Sequence, residues 1–194
     1  VEQGGNMNIQ KQVYDVGPNN VRELFYANDQ TGELFWRERT DDVEPNRRAR
    51  NVFNKMYAGR KVGYERAGHG TTYLQVRAIG KVYALHRVVW LYCYLSWPKG
   101  QIDHVDGNGL NNHISNLRDV TRSQNQRNAK RRKDNKSGFT GVTWNSKANK
   151  WLVRICTDSG RKHLGYFFCL KKAILVRDVA NMKNDYHPNH GREK

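Results

Sequence analysis

Apolar and polar positions change their period several times along the 194 residues, and each change marks an element. Leu24, Phe25 and Tyr26, and then Leu34, Phe35 and Trp36, are two short aromatic runs flanking a turn cluster of Asn28, Asp29, Gln30, Thr31 and Gly32. That arrangement predicts a hairpin. Residues 47–58 predict a short helix stopped by Gly59, because glycine accepts the left-handed conformation that closes a helix. Over residues 72–78, Leu74, Val76 and Ala78 alternate with Tyr73, Gln75 and Arg77; Ile79 and Gly80 turn the chain, and residues 81–85 return it as a second hairpin. Val88, Val89, Tyr92 and Leu95 then follow helical spacing, so residues 86–97 predict a helix ended by Pro98.

The next stretch is short and polar. Ile102, Asp103, His104 and Val105 form a strand-like run that breaks at Asp106 and Gly107, and the loop beyond carries Asn108, Gly109, Asn111 and Asn112. Residues 117–120 can return as a strand. Thr121 and Gln124 then stand in the T-x-x-Q order of a capping box, which sets a helix start at Thr121 and leaves Asn125 at the end of the first turn, aimed back at the hairpin. Beyond a polar linker at residues 134–138, residues 140–144, 151–156 and 161–167 predict three strands. Turns at residues 145–149 and 158–160 separate them. Residues 170–184 predict a helix whose Ala173, Val176 and Ala180 cover one face of that meander.

The fold class expected is α+β, with a scaffold over residues 7–98, a polar core over 99–133 and a sheet-plus-helix unit over 134–190. Residues 1–6 precede Met7 and are set aside as an extension.

Charge changes the picture most. Lysine and arginine number 34 against 18 acidic residues, a formal charge of +16 with a pI near 10.0, so the expected partner is a polyanion. No segment reaches the ~18 apolar residues that span a bilayer, and the expectation is a soluble, cytoplasmic protein with no membrane partner. Cys93, Cys156 and Cys169 lie far apart without a C-x-x-C pair, which argues against a disulfide framework and against a structural zinc.

The chemistry sits in the second stretch. Taken alone, His104 is an ordinary histidine that caps or packs, and His86 and His113 are read in that way. Its neighbours alter the reading: Asp103 supplies a hard carboxylate, and Asn116 and Asn125 supply amides twelve and then nine residues further on. Carboxylate and amide oxygens suit Mg²⁺ or Mn²⁺ rather than zinc.

At Asp103-His104, Asp106-Gly107-Asn108, Asn111-Asn112, Ser115 to Arg118 and Ser123 to Asn125, the chain resembles HNH endonucleases of the bacteriophage and group I intron homing type. The likeness extends over about residues 20 to 130, through Leu24 to Trp36 and Leu85-His86-Arg87. The resemblance implies a ββα-metal nuclease module. It implies His104 as general base, Asp103 and Asn125 as ligands of one Mg²⁺ or Mn²⁺, and Asn116 as the residue orienting the histidine loop. Asn125 stands where a histidine is commoner in that family. The reaction implied is hydrolysis of a phosphodiester in double-stranded DNA by a monomer without any small-molecule cofactor, slowing as pH falls through the ordinary imidazole range near ~6.5.

Gly141 to Trp144, Lys150-Trp151, Arg154-Ile155, His163 to Phe167, Ala173 and Arg177 to Ala180 are similar to the ethylene-response-factor (Apetala-type) DNA-binding domain, a three-stranded antiparallel sheet packed on one helix. That likeness makes Trp144, Lys147, Lys150, Trp151, Arg154 and Lys162 candidate DNA contacts, although either tryptophan could equally lie under the helix. Arg122, Arg127, Lys130 and Arg131, beside the proposed active site, are candidate phosphate contacts. Two other classes stay open: a non-catalytic sequence-specific DNA-binding regulator on the same scaffold, and a structure-specific RNA binder.

Overall fold

The computed structural model describes residues 15–28, 31–68, 71–128, 131, 133–188, 190 and 191. Within them the chain forms two compact units, one of residues 15–66 with 73–97, the other of residues 98 onward with the short segment 67–72. Both mix small antiparallel sheets with short helices.

The first unit runs α1 (Val21–Leu24), β1 (Phe25–Ala27), β2 (Leu34–Trp36), α2 (Arg47–Tyr57), β3 (Tyr64–Ala67), β4 (Thr72–Ala78), β5 (Lys81–Ala84) and α3 (Leu85–Tyr94). β1 and β2 pair antiparallel with Phe25 opposite Trp36, the hairpin the aromatic runs predict, and those two rings lie 4.9 Å apart. Helix α2 starts where Asn46 accepts a bond from the Ala49 N–H, and Gly59 follows it at φ 74°. None of its residues is buried, but Phe53 sets its ring edge against Trp36. The second hairpin has Ala78 opposite Lys81, with Ile79 and Gly80 both left-handed as a two-residue turn requires.

Two features differ from the pattern reading. Strand β3 lies at the edge of the β3-β4-β5 sheet with all four residues exposed, so it shows no apolar alternation to detect. Helix α3 ends before Pro98, because Leu95 turns left-handed at φ 51° and its N–H closes onto the Leu91 carbonyl at 2.8 Å.

The second unit begins with β6 (Gln101–His104), a 3-10 turn (Ile114–Asn116), β7 (Leu117–Val120) and α4 (Arg122–Gln126). β6 and β7 pair antiparallel, Asp103 opposite Arg118 and His104 opposite Leu117. Ile102, Leu117 and Val120 are the buried apolar residues of this hairpin. The capping box at Thr121 is complete: the threonine hydroxyl accepts from the Gln124 backbone N–H at 3.2 Å, and the Gln124 side-chain Oε1 accepts from the Thr121 N–H at 2.9 Å. Helix α4 is short and Arg127 caps it, so Arg131 and Lys133 lie beyond it.

β8 (Val142–Asn145), β9 (Lys150–Thr157) and β10 (Gly160–Phe167) form a sheet in the order β10-β9-β8, and α5 (Leu170–Lys183) lies on it. Val142, Val153 and Ala173 are its fully buried centre, ringed by Trp151, Leu164, Phe167, Leu170 and Val176. Gly141 is held at φ 84°, and a Cβ there would collide with the Arg177 guanidinium and the Arg154 carbonyl. Arg177, itself buried, donates to the Thr140 carbonyl at 3.1 Å and ties helix to sheet at that point.

Candidate active site

Asp103 and His104 end β6 and are 7% and 5% exposed, so two polar side chains lie inside a small hairpin and must find partners there. Register supplies the first. Arg118 is the residue opposite Asp103, and its Nε and Nη2 both donate to Asp103 Oδ2, at 2.8 and 2.6 Å. The second partner comes from beyond α4. Asn128, 2% exposed, directs its Nδ2 to both carboxylate oxygens at 2.9 Å and to the His104 carbonyl at 3.1 Å. His104 Nε2 lies 2.9 Å from Asn112 Oδ1, and Asn112 is itself buried.

The loop between the two strands is organised by Asn116 and Asp106. Asn116 accepts from the Asp106 N–H at 3.0 Å and donates to Asp106 Oδ1 at 3.0 Å and to the Asn111 carbonyl at 2.8 Å. The Asp106 carboxylate also takes the Asn108 N–H and the Asn111 amide. Partial burial pushes the Asp106 carboxyl upward, but those hydrogen bonds and the nearby His104 outweigh it and hold it below the usual carboxylate range. Asn116 thus ties Asp106 and Asn111 together within the loop that follows His104.

Asn125 reaches β6 from the end of α4. Its Nδ2 donates to Gln101 Oε1 at 2.9 Å, and the amide that reaches Asp103 is that of Asn128, three residues on. Gln101 and Asp103 share one face of β6, since alternate strand residues point the same way. One edge of α4 and its exit thus lays two asparagines along that face. Neither Arg118 nor Asn128 was singled out by sequence reasoning. The first needs the β6–β7 register and the second needs the helix exit path. His113 is local structure, as expected: its Nδ1 lies 2.7 Å from Ser115 Oγ and accepts the Ser115 N–H.

Donor chemistry suits a hard cation. Asp103 Oδ2 is committed to Arg118 and shared with Asn128, while among the described residues Oδ1 meets the neutral Asn128 amide, leaving lone-pair capacity for one monodentate contact. Among the described residues no three His, Cys, Asp or Glu side chains cluster as a metal cage. A cation here would therefore draw further ligands from amide oxygens, water and phosphate, as Mg²⁺ commonly does.

The candidate DNA contacts divide. Arg122 is exposed at the start of α4. Arg127 is 8% exposed and is used internally: it pairs with Asp158 in the β9–β10 turn, donates to the Asn184 carbonyl at 3.3 Å and stands over the Tyr186 ring. Its guanidinium joins α4 to the C-terminal sheet, which corrects its assignment as a phosphate contact. Ser123 Oγ reaches the same Asp158 at 3.0 Å. Arg131 donates to the Gly138 carbonyl at 2.6 Å, bracing the linker. Lys130 lies outside the described residues.

On the sheet, Lys150 and Arg154 stand on the face turned away from α5, together with Arg161 and His163 by register. Trp144, Trp151 and Lys162 have the opposite parity, that of buried Val153 and Ile155. Trp151 packs into the core, and Trp144, 43% exposed, meets it edge-on at 5.1 Å. The two indoles line a groove of about 550 Å³ under the linker residues Asn135, Lys136 and Ser137. Lys147 is exposed in the β8–β9 turn.

No helix among the described residues is long and apolar enough to cross a membrane. No solved structure gives a significant match to the chain. It is similar to protein 3.8 of Escherichia phage T7, 38% identical over 79 residues that cover 40% of this chain and 64% of that protein. It is also similar to YosQ of Bacillus subtilis (strain 168), which its name describes as an SPbeta prophage-derived candidate HNH homing endonuclease. That pair is 34% identical over 80 residues, 41% of either chain. The chain thus spans less than two thirds of each of these relatives. Residues 83–127, a segment that includes Asp103, His104 and Asn116, match the family model described as HNH endonuclease.

Proposed function

We propose that this chain is a divalent-metal-dependent endonuclease that hydrolyses phosphodiester bonds in double-stranded DNA, of the phage homing or nicking type. The observation that carries the reading is the pair Asp103 and His104, buried side by side at the end of β6 and held by amides and an arginine within an HNH-matching segment. Electrostatics favour the substrate: a formal charge of +16 concentrates a polyanion at the surface.

In this reading His104 takes a proton from water as the water oxygen bonds to phosphorus. The bond from phosphorus to the 3′ oxygen breaks, that oxygen is protonated from solvent, and the ends are a 5′ phosphate and a 3′ hydroxyl. Asp103 with the amide oxygen of Asn125 would hold one Mg²⁺ or Mn²⁺. When bound, that cation supplies charge stabilisation to the phosphoryl group and the leaving oxygen. Asn116 keeps the loop after His104 in place, and Arg118 and Asn128 orient the Asp103 carboxylate.

The proposed organisation is a scaffold over residues 7–98, the nuclease core over 99–133 and a DNA-reading sheet of ethylene-response-factor type over 134–190, working as a monomer in the cytoplasm of a bacterial host. Lys150, Arg154 and Arg161 on the sheet face away from α5 are the proposed phosphate contacts.

The test is supercoiled plasmid with Mg²⁺, with and without chelator, for the full chain and for His104→Ala. Relaxed or linear product that needs metal and is lost in the variant is expected. Unchanged plasmid with tight duplex binding would instead establish the non-catalytic regulator.

A further inference from the structure

Asn112 lies against the imidazole of His104. It is 8% exposed, its Oδ1 lies 2.9 Å from His104 Nε2, and its Nδ2 is buried without a hydrogen-bond partner among the described residues. Both facts bear on the reaction. An amide carbonyl oxygen can only accept, so the 2.9 Å contact requires the proton of a neutral imidazole to sit on Nε2, leaving the lone pair on Nδ1. A histidine base with the other tautomer would present N–H where a lone pair is needed. The second fact is unusual in itself. Buried amide donors nearly always have partners, and an exception beside a reactive group points to something that arrives.

We propose that Asn112 is a positioning residue for the nuclease reaction: its carbonyl oxygen fixes His104 as the Nε2–H tautomer with Nδ1 as the base, and its buried amide N–H is completed by a phosphate oxygen of bound DNA. The catalytic meaning rests on the nuclease reading, but the tautomer belongs to the free protein and is measured without any cleavage. The arrangement is self-consistent. Turning the amide around would point a donor at a nitrogen that must then lose its proton, and would leave the carbonyl oxygen facing the position now held by the orphaned donor. Local anchoring supports a fixed Asn112: the neighbouring Asn111 ties its amide to Asp106 at 2.8 Å, and its carbonyl takes Asn116 Nδ2.

The experiment is long-range proton–nitrogen correlation of the imidazoles in the ¹⁵N-labelled full chain, with His104 assigned from the signal lost in His104→Gln. Spectra are recorded at about pH 8, where an ordinary imidazole is neutral. Wild type should show His104 as Nε2–H. Asn112→Ala should move it to a mixture containing Nδ1–H, while Asn112→Asp, which keeps an acceptor at the same place, should retain Nε2–H. In plasmid cleavage, Asn112→Ala should lower kcat by about 10²-fold, the lower end of what a positioned base contributes. Asn112→Asp should raise the KM for DNA, because an oxygen replaces the donor that meets the phosphate. Backbone spectra establish that each variant is folded. If Asn112→Ala does not fold, wild type and Asn112→Asp still decide the matter. An Nδ1–H tautomer in wild type, an unchanged Nε2–H in folded Asn112→Ala, or loss of Nε2–H in Asn112→Asp would overturn the proposal. Wild type that shows Nε2–H controlled by Asn112 yet leaves every plasmid intact would sink the nuclease reading alone.

Discussion

Replacing Asn116 by alanine removes three hydrogen bonds from the loop that follows His104: one accepted from the Asp106 N–H and two donated, to Asp106 Oδ1 and the Asn111 carbonyl. At about 1 kcal/mol net for each bond the sum is about 3 kcal/mol. Asp106 is reached by solvent, so water replaces part of what it loses, and about 2 kcal/mol is the better figure. The backbone bonds from Val105 N–H to the Asn116 carbonyl and from Asn116 N–H to the His113 carbonyl do not involve the side chain and persist. The loss is therefore local. It shifts the balance between the closed and open loop by about 30-fold, which amide hydrogen exchange at Asp106 reads directly as faster exchange by that factor. Cleavage should fall further, by about 10²-fold, because reacting groups displaced by even an ångström lose most of their advantage. Urea unfolding, hydrogen exchange and plasmid cleavage at saturating Mg²⁺ together check this. Exchange at Asp106 within threefold of wild type, with cleavage unchanged, would refute the argument that this side chain organises the site.

Three further outcomes are expected. Gly100→Ala should destabilise the second unit by about 2 kcal/mol in urea unfolding, because its Cβ would meet the Val120 carbonyl just where Gly100 N–H bonds Asp119, and the β6–β7 hairpin would have to spread. Lys150→Ala and Arg154→Ala should each flatten the slope of log affinity against log salt for duplex DNA by about 0.9, whereas Arg127→Ala should lower the melting temperature with the slope unchanged, as its guanidinium is committed to Asp158 and Tyr186. The Asp158 carboxyl is held below its usual range by its hydrogen bonds to Arg127 and Ser123, so its contribution is complete above the ordinary carboxylate value near ~3.9 and is lost as pH falls through the lower folded value. The melting-temperature gap between wild type and Asp158→Asn should stay constant from about pH 5 to 8 and close only in stronger acid.

What short-range chemistry governs could be read directly. The Thr121 and Gln124 side chains span one helical turn, so the capping box follows from three residues of spacing, and both of its bonds are made. The Ile79-Gly80 turn and the alternation of Val76 and Ala78 likewise specify their hairpin within a few residues. The pairing of Asp103 and His104 on one strand end, with Asn116 holding the loop behind them, was legible for the same reason: the strand, turn and return strand form one continuous hairpin from Gln101 to Val120.

Strand register and chain path beyond the helix were decided only by the tertiary structure. Arg118 became the partner of Asp103 because antiparallel pairing set those two residues opposite each other, and a shift of one position would have faced it elsewhere. Asn128 rather than Asn125 touches the carboxylate because the short α4 ends at Arg127 and carries the next residue inward. Arg127 looked like one more basic residue in a cationic run, yet an aspartate 31 residues away claims it. Sheet parity put Trp144 and Trp151 on the helix side and Lys150 and Arg154 on the other. Such choices depend on contacts between segments distant in sequence, whose free energy is summed over the whole unit, so no local window contains them.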